Sequence, residues 1–342
     1  MENSFTFTFG KEPTNYIGRG MQQLEIVETF QSNNPEYQVC MITGVRGCGK
    51  TVTMTSICRE LASSKDWIVA EISPEKDLLE ALVAELYVNK SLSKIFKEAK
   101  ISVSLPNFQI EISGETPIQT AEIALDRQLK ILTQKGKKVL IAIDEVTNNK
   151  QIKEFASQFQ IYIRKNYNVF LLMTGLYENI SNLQNEETLT FLYRAPKVVL
   201  KPLSLAKISD SYKNLLSVTP AIADEMALVT NGYAFAYQVL GYLCFKYKQP
   251  YTEVLADFDE MLEEYVYDKI YSELSELDIK VLQALCESDS GKVDELRHIA
   301  GMESNKFTVY RKRLIKKGII SNPHYGYLEF TLPRFKEFLL RQ

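Results

Sequence analysis

The sequence predicts an α/β protein in which a parallel sheet precedes an all-helical region and then a smaller domain of three helices and a hairpin. Two observations predict the sheet. Short apolar runs recur along the first two-thirds of the 342-residue chain, and helical patterns separate them. Near-continuous apolar strands of this kind are typical of a parallel sheet covered on both faces. Beyond Leu203 the strand-like runs stop, which predicts the helical region.

The predicted strands are, in order, 38–43, 66–73, 137–146, 169–176 and 197–203. Helical patterns follow the first two of them, at 50–63 and 77–99. Between the second and third strands, the segment 101–113 alternates apolar and polar residues on both sides of Pro106-Asn107. That alternation predicts a hairpin insertion or, alternatively, a looser edge element.

Four helical stretches make up the next region, at 206–217, 220–230, 233–248 and 251–266. Thr219 followed by Pro220 is a typical helix start, because the threonine side chain caps the first turn and proline suits its first position. We therefore expect a helical second domain over 204–268.

The last stretch has a different layout. Three helices are predicted at about 275–287, 292–300 and 304–317. The segment 318–332 then alternates like a β-hairpin, with its turn near Pro323–Gly326. Three helices and a hairpin predict a winged helix. The expected domains are thus 1–203, 204–268 and 269–342.

Charge is distributed unevenly along the chain. The formal net charge is −3, but residues 306–342 hold nine Lys and Arg against two Asp and Glu, a balance of +7, which leaves −10 for the rest. A basic tail on an acidic body predicts an anionic partner for the tail. Five cysteines without a CxxC pair, and two histidines, argue against a zinc site and predict reduced thiols in a cytoplasmic protein. The sequence holds no apolar run of about 18 residues, so we expect no membrane span.

The segment GVRGCGKT (44–51) matches the pattern G-x-x-x-x-G-K-[ST] between a predicted strand and a predicted helix. Glycines let backbone amides approach a polyphosphate closely. Lys50 is then expected to reach the β- and γ-phosphates of ATP, and the Thr51 hydroxyl to coordinate Mg²⁺. The predicted nucleotide-binding residues here are Gly44, Val45, Arg46, Gly47, Cys48, Gly49, Lys50, Thr51 and Val52.

An acidic pair and two further polar residues follow later strands. Asp144 is expected to hold Mg²⁺, and Glu145 to orient and deprotonate the attacking water. Thr174, at the end of a strand, is expected to sense the γ-phosphate or, alternatively, to bond the backbone. Arg194 is expected to stabilise transition-state charge, in cis or across a subunit boundary; the alternative is a surface salt bridge.

These residues, in this order, resemble the AAA+ and STAND divisions of phosphate-loop ATPases, above all the archaeal-type ATPases and the replication-initiator ATPases. The resemblance covers almost the whole chain. YIGRG resembles the family's N-terminal box, which implies adenine contacts from Tyr16, Ile17 and Gly18, although Gly20 stands where an acidic residue is usual. The lid lacks the family's Gly-x-Pro and a sensor arginine, so hydrolysis is expected to be slow.

The predicted helix 304–317 is amphipathic. Five cations share one side of it: Lys306, Lys312, Arg313, Lys316 and Lys317. In a winged helix this helix enters the major groove and the wing touches phosphates, so double-stranded DNA is the expected partner. The alternative is a solvated lysine-rich helix in a domain that contacts protein.

The sequence therefore predicts an ATPase switch that couples nucleotide state to DNA binding, with a possible homo-oligomer or protein partner. Two alternatives remain. One is a STAND-type signalling or defence switch whose winged helix contacts protein. The other is a nucleotide-bound adaptor that does not hydrolyse ATP.

Overall fold

The computed structural model describes residues 3–6, 13 and 15–342. The chain divides into two compact units. The first, which we call the sheet unit, consists of residues 20–43 and 53–199. The second, the loop unit, takes the described residues up to Arg19, the segment 44–52, and everything from Leu200 onward.

A parallel five-stranded sheet forms the centre of the sheet unit, in the order β2-β5-β6-β1-β7. Its strands are β1 (Val39–Thr43), β2 (Trp67–Glu71), β5 (Lys138–Ile143), β6 (Val169–Gly175) and β7 (Lys197–Val199). All residues of β1 and β6 are buried, as expected for strands covered on both faces. The predicted parallel sheet is confirmed, although β7 ends at Val199 rather than at 203.

Eight helices accompany the sheet: α1 (Met21–Gln31), α2 (Lys50–Ala62), α3 (Leu78–Val88), α4 (Lys90–Glu98), α5 (Ala121–Gln134), α6 (Lys150–Arg164), α7 (Tyr177–Gln184) and α8 (Thr190–Tyr193). The prediction of one helix over 77–99 is wrong at its centre. Asn89 adopts an extended backbone there, and its side chain accepts a hydrogen bond from Ser91 N at 3.1 Å. An N-cap of this kind starts a new helix, so the chain turns between α3 and α4.

The predicted insertion is a hairpin. Its strands β3 (Val103–Leu105) and β4 (Phe108–Ile110) pair antiparallel around Pro106-Asn107. The buried Glu80 carboxylate of α3 accepts hydrogen bonds from Asn107 N at 2.7 Å and Asn107 Nδ2 at 2.9 Å. The turn is therefore tied to α3, and the looser alternative is excluded.

Five helices follow the sheet in the loop unit: α9 (Leu205–Leu216), α10 (Pro220–Thr230), α11 (Ala234–Tyr247), α12 (Leu255–Leu262) and α13 (Asp268–Ser272). Thr219 caps α10 as predicted, since its hydroxyl accepts from Ile222 N. The helix predicted over 251–266 is interrupted, because a 3₁₀ turn occupies Tyr251–Val254 and a π-helical turn Glu263–Tyr267.

The C-terminal part of the loop unit holds the three predicted helices and the predicted antiparallel pair. They are α14 (Glu276–Glu287), α15 (Val293–Ile299), α16 (Ser304–Lys317), β8 (Ile320–Ser321) and β9 (Glu329–Phe330), followed by α17 (Phe335–Leu339). Asp278 is fully buried in α14, where it forms a capping box with Ser275 and an ion pair with Arg313 of α16 at 3.3 Å. This ion pair ties α16 to α14.

Candidate nucleotide site

The glycine-rich loop follows β1 directly and runs into α2, which begins at Lys50. Gly47 and Gly49 have φ angles of +71° and +94°, a region that side chains other than glycine disfavour. A helix start carries unpaired backbone N–H groups and the positive end of the helix dipole. The local backbone is therefore of the kind that binds anions.

The carbonyl groups of residues 44–48 in this loop point at hydrogen-bond donors. Five consecutive carbonyls are bonded: Gly44 O and Val45 O accept from Lys50 Nζ at 3.0 and 3.1 Å, Arg46 O from Tyr233 OH at 2.5 Å, Gly47 O from Phe235 N at 3.1 Å, and Cys48 O from Arg19 Nη2. In a planar trans peptide, the carbonyl of one residue and the N–H of the next residue point in opposite directions. Fixing this carbonyl side therefore fixes which way the amides face.

The amide side of the loop has the opposite character. The N–H groups of Val45, Arg46 and Gly47 have no acceptor among the residues that the structure describes. Three adjacent amides with no acceptor in the described part of the chain, followed by the N-terminus of α2, are a set of donors that suits a polyphosphate. The residues present thus fit a nucleoside triphosphate.

Two contacts join the loop to the C-terminal part of the loop unit. Arg46 Nη2 forms an ion pair with Glu273 Oε1 at 2.8 Å, and each side chain is about one-third exposed. Gly318, the C-cap of α16, lies against Val45, since a Cβ at Gly318 would be 3.7 Å from the Val45 nitrogen. Neither contact is evident from the sequence, because the partners lie more than 200 positions apart.

Arg19, within the YIGRG segment, is a residue of the site that the sequence did not predict. Its guanidinium donates to Cys48 O of the loop and to Lys201 O at the start of the helical region. Burial lowers the pKa of this guanidinium, which stays charged because an arginine pKa begins so high. Its neighbours Tyr16, Ile17 and Gly18 are half-buried in the same unit.

The acidic pair lies in the sheet unit, directly after β5. The Thr174 hydroxyl donates to Asp144 Oδ1, and the same Thr174 oxygen accepts from Glu145 N at 3.2 Å. Glu145 has φ +53°, a left-handed conformation, and its side chain is exposed. Both carboxylates are hard oxygen donors of the type that Mg²⁺ prefers. The structure therefore brings Asp144, Glu145 and Thr174 together.

Arg194 lies apart from this group, at the C-cap of α8. Its side chain is exposed and forms no ion pair with any residue that the structure describes. Within the part of the chain that the structure describes, the surface salt bridge expected as the alternative is absent, and the catalytic role of Arg194 stays a prediction.

The five cations of α16 fall into two groups. Lys306, Lys312 and Lys316 are exposed on one side of the helix. Arg313, by contrast, pairs with the buried Asp278, and Lys317 Nζ donates to Glu273 O at 3.3 Å. The sequence pattern grouped all five on one surface, but the structure pairs Arg313 and Lys317 with groups on neighbouring segments of the protein.

All five cysteines are buried and free of disulfides. Burial raises the pKa of the Cys40 and Cys58 thiols to about 12 and of Cys244 and Cys286 to about 11, so these four thiols are unreactive as nucleophiles. Among the described residues, none of the helices combines the length and apolarity needed to cross a bilayer.

Comparison with protein families gives two matches. The family described as "ATPase domain predominantly from Archaea" matches residues 21–191, half of the chain. A "Domain of unknown function (DUF8462)" matches residues 264–339. No curated protein is detectably similar in sequence.

The fold recurs in solved structures of low sequence identity, of which two are informative. The Walker-type ATPase PABY2304 of Pyrococcus abyssi superposes with a TM-score of 0.64 at 16% identity, covering 96% of this chain and 97% of that one. The ORC2 protein of Aeropyrum pernix, solved as ADPNP-ADP complexes, gives a TM-score of 0.60 at 13% identity, covering 96% and 94%. The similarity extends over nearly the full length of each protein.

Proposed function

We propose, on the premise that this chain belongs to the family of ATPase domains found predominantly in Archaea and is an ATPase, that its nucleotide state controls DNA binding by a C-terminal winged helix. The domains of this switch are 1–203, 204–268 and 269–342. The first binds and hydrolyses ATP, the second acts as a lid, and the third carries the DNA contact.

The proposed nucleotide chemistry follows from donor and acceptor types. The loop amides and Lys50 hold the phosphates, and Lys50 exchanges its bonds to Gly44 O and Val45 O for phosphate oxygens. Thr51 and Asp144 are the proposed Mg²⁺ ligands, and the bound ion would neutralise charge that develops on the phosphates. Glu145 is the proposed base for the attacking water, with Thr174 holding the strand-end turn in place.

One observation supports the coupling more than any other. The nucleotide loop and the basic helix α16 belong to the same compact unit, in which Gly318 at the end of α16 lies against Val45 of the loop. Glu273 pairs with Arg46 through its carboxylate and accepts from Lys317 through its carbonyl. A rearrangement of the loop on nucleotide binding would therefore act directly on the end of the proposed recognition helix.

The exposed side of α16 supports an anionic polymer as the partner. Lys306, Lys312 and Lys316 follow one another at about two-turn and one-turn intervals, and Val309 is 62% exposed between them. At the tip of the β8–β9 connection Tyr325 is 98% exposed. Lysines at this spacing neutralise phosphates, and the aromatic tip fits a wing that packs along the sugar-phosphate backbone.

A salt titration of duplex DNA binding tests the proposal. The variant Lys306→Glu/Lys312→Glu/Lys316→Glu should weaken binding and make the slope of log K against log salt shallower by about 2–3 units, since each phosphate contact contributes about 0.9. The matched control is Lys90→Glu/Lys94→Glu/Lys97→Glu, which reverses three exposed lysines of α4 and changes the net charge by the same amount.

Equal losses in both triple variants would mean that only overall charge matters, and an unchanged α16 variant would exclude the helix as the DNA contact. The second outcome favours the signalling alternative, in which the exposed Val309 and Tyr325 contact a protein instead.

A further inference from the structure

The helical lid contacts the nucleotide loop on the side to which the loop carbonyls point. Tyr233, the N-cap of α11, donates its hydroxyl hydrogen to Arg46 O at 2.5 Å, and Phe235 N donates to Gly47 O at 3.1 Å. Both donors come from the first residues of α11. The helical region thus holds two consecutive carbonyls of the loop that is expected to bind phosphate with its amides.

Tyr233 is tightly enclosed at this position. Its side chain is 5% exposed, and burial raises the pKa of its phenol well above the ordinary range, so the hydroxyl keeps its proton as a donor. A Cβ added at Gly47 would lie 2.2 Å from the Tyr233 hydroxyl oxygen and 3.1 Å from Phe235 Cβ. Glycine is therefore required at position 47 for two reasons: its φ angle is positive, and a side chain there would collide with Tyr233.

The backbone beneath Tyr233 is also fixed. Tyr233 N donates to Thr230 O at 2.8 Å, and Leu203 N donates to Gly232 O at 2.8 Å. Gly232 is closely packed against Leu203 and Pro202, where a Cβ would come within 2.6 Å of the Leu203 carbonyl oxygen. These hydrogen bonds and the close packing of Gly232 thus fix the backbone that carries the Tyr233 hydroxyl.

We propose that Tyr233 is a positioning residue for the nucleotide: by holding the Arg46 carbonyl, its hydroxyl keeps the Gly47 amide, which shares the same peptide plane, directed toward the phosphates. The lid thereby contributes to nucleotide affinity by orienting the loop backbone, without touching the nucleotide. This inference rests on ATP binding by the loop, and it does not depend on whether the C-terminal helix binds DNA.

The chain supplies a closely matched control. Tyr267 is also buried, at 1% exposure, and donates its hydroxyl to a backbone carbonyl, Pro333 O, at the same distance of 2.5 Å. Burial raises its pKa well above the ordinary range too. Tyr267 lies in the same unit, and its hydroxyl bonds Pro333 O rather than a carbonyl of the loop. Each substitution to phenylalanine therefore removes one buried hydroxyl-to-carbonyl bond, and only the change at Tyr233 removes a bond to the loop.

The experiment compares Tyr233→Phe and Tyr267→Phe by urea unfolding and by titration with Mg·ATP. Both variants should lose similar stability, since each leaves one buried carbonyl without its donor. Only Tyr233→Phe should bind ATP about five- to tenfold more weakly, the factor that one hydrogen bond supports. Its KM should rise by the same factor while kcat stays within about twofold of the wild type, because Asp144 and Glu145 are unchanged.

Three results would overturn the proposal: ATP affinity unchanged in Tyr233→Phe, an equal loss of affinity in Tyr267→Phe, or a fall in kcat with KM unchanged. If Tyr233→Phe does not fold, Arg19→Lys provides the second test, since it weakens the donor to the next-but-one carbonyl, Cys48 O. It should also raise KM without lowering kcat. Wild-type protein that bound no Mg·ATP would instead refute nucleotide binding by the loop.

Discussion

Glu145 adopts a backbone conformation that is unfavourable for its residue type. Its φ of +53° lies in the left-handed region, where a residue with a Cβ is uncommon. The bond from Glu145 N to Thr174 Oγ1, and the bond from Val146 N to Thr174 O at 2.8 Å, hold the turn in that form. Strained backbone maintained by neighbouring bonds is frequent at functional sites, because it fixes where a side chain points.

The variant Glu145→Gln tests the role proposed for this side chain. The amide keeps the size of the carboxylate but cannot take a proton, so steady-state ATP hydrolysis should fall at least about 100-fold. Binding of Mg·ATP should persist, whereas Lys50→Ala should abolish it by removing the cation beside the phosphates. A Glu145→Gln rate equal to that of the wild type would show that another residue activates the water.

Residue-scale features were predictable where they follow a local pattern. The loop 44–51 and the Asp144–Glu145 pair are each contiguous in the sequence, and each follows a strand that its apolar run revealed. The partners of the loop were not predictable in this way. Tyr233 lies 187 positions from Arg46, and Glu273 lies 227 positions from it. No spacing rule connects residues so far apart, because the fold alone brings them together.

At the scale of single elements, the two sides of the basic helix α16 have different roles. Its inner side packs Phe307 and Leu314 into the core, and Arg313 compensates the fully buried carboxylate of Asp278. Its outer side carries the exposed lysines. Helical periodicity separates apolar from charged residues, but it does not show which cation pairs with a buried acid on a neighbouring helix.

Arg313→Ala should therefore destabilise the protein, whereas Lys312→Ala should not. Removing Arg313 leaves the Asp278 carboxylate buried without its cation, and we expect a loss of about 2–3 kcal/mol in the free energy of unfolding. This value lies below the range for fully buried pairs because the Arg313 side chain is 37% exposed. Lys312→Ala should change stability by less than about 0.5 kcal/mol.

Urea unfolding of the two variants and the wild type measures both effects. Equal stabilities for Arg313→Ala and Lys312→Ala would contradict the structural role of the ion pair. A stable Arg313→Ala variant that lost DNA binding would instead return Arg313 to the DNA-contacting group.

Element boundaries show the same division between local and distant causes. α10 begins and ends where predicted, because Thr219 and Pro220 define its start and Asn231 adopts a left-handed conformation after its end. The break at Asn89 was missed, since apolar periodicity continues on both sides of it. Helices α1, α5, α6 and α7 were not predicted.

At the scale of the whole molecule, the loop links the two activities proposed for the chain. The Arg46–Glu273 ion pair joins the nucleotide loop to the segment that precedes α14, and the Glu273 carbonyl accepts from Lys317 at the end of α16. If ATP alters DNA affinity by some factor, thermodynamic linkage requires DNA to alter ATP affinity by the same factor. The two measurements must agree, whatever the direction of the effect.

Glu273→Gln should reduce that coupling factor while leaving each ligand able to bind. The pair is about one-third exposed on both sides, so its contribution is modest, and we expect the ratio of DNA affinities with and without ATP to fall two- to fivefold. The control is Glu263→Gln, which breaks the Arg341–Glu263 pair, also 2.8 Å long and similarly exposed, without touching the loop. An unchanged ratio in Glu273→Gln, or an equal change in Glu263→Gln, would show that the signal leaves the loop by another route, of which the Gly318–Val45 contact is the next to test.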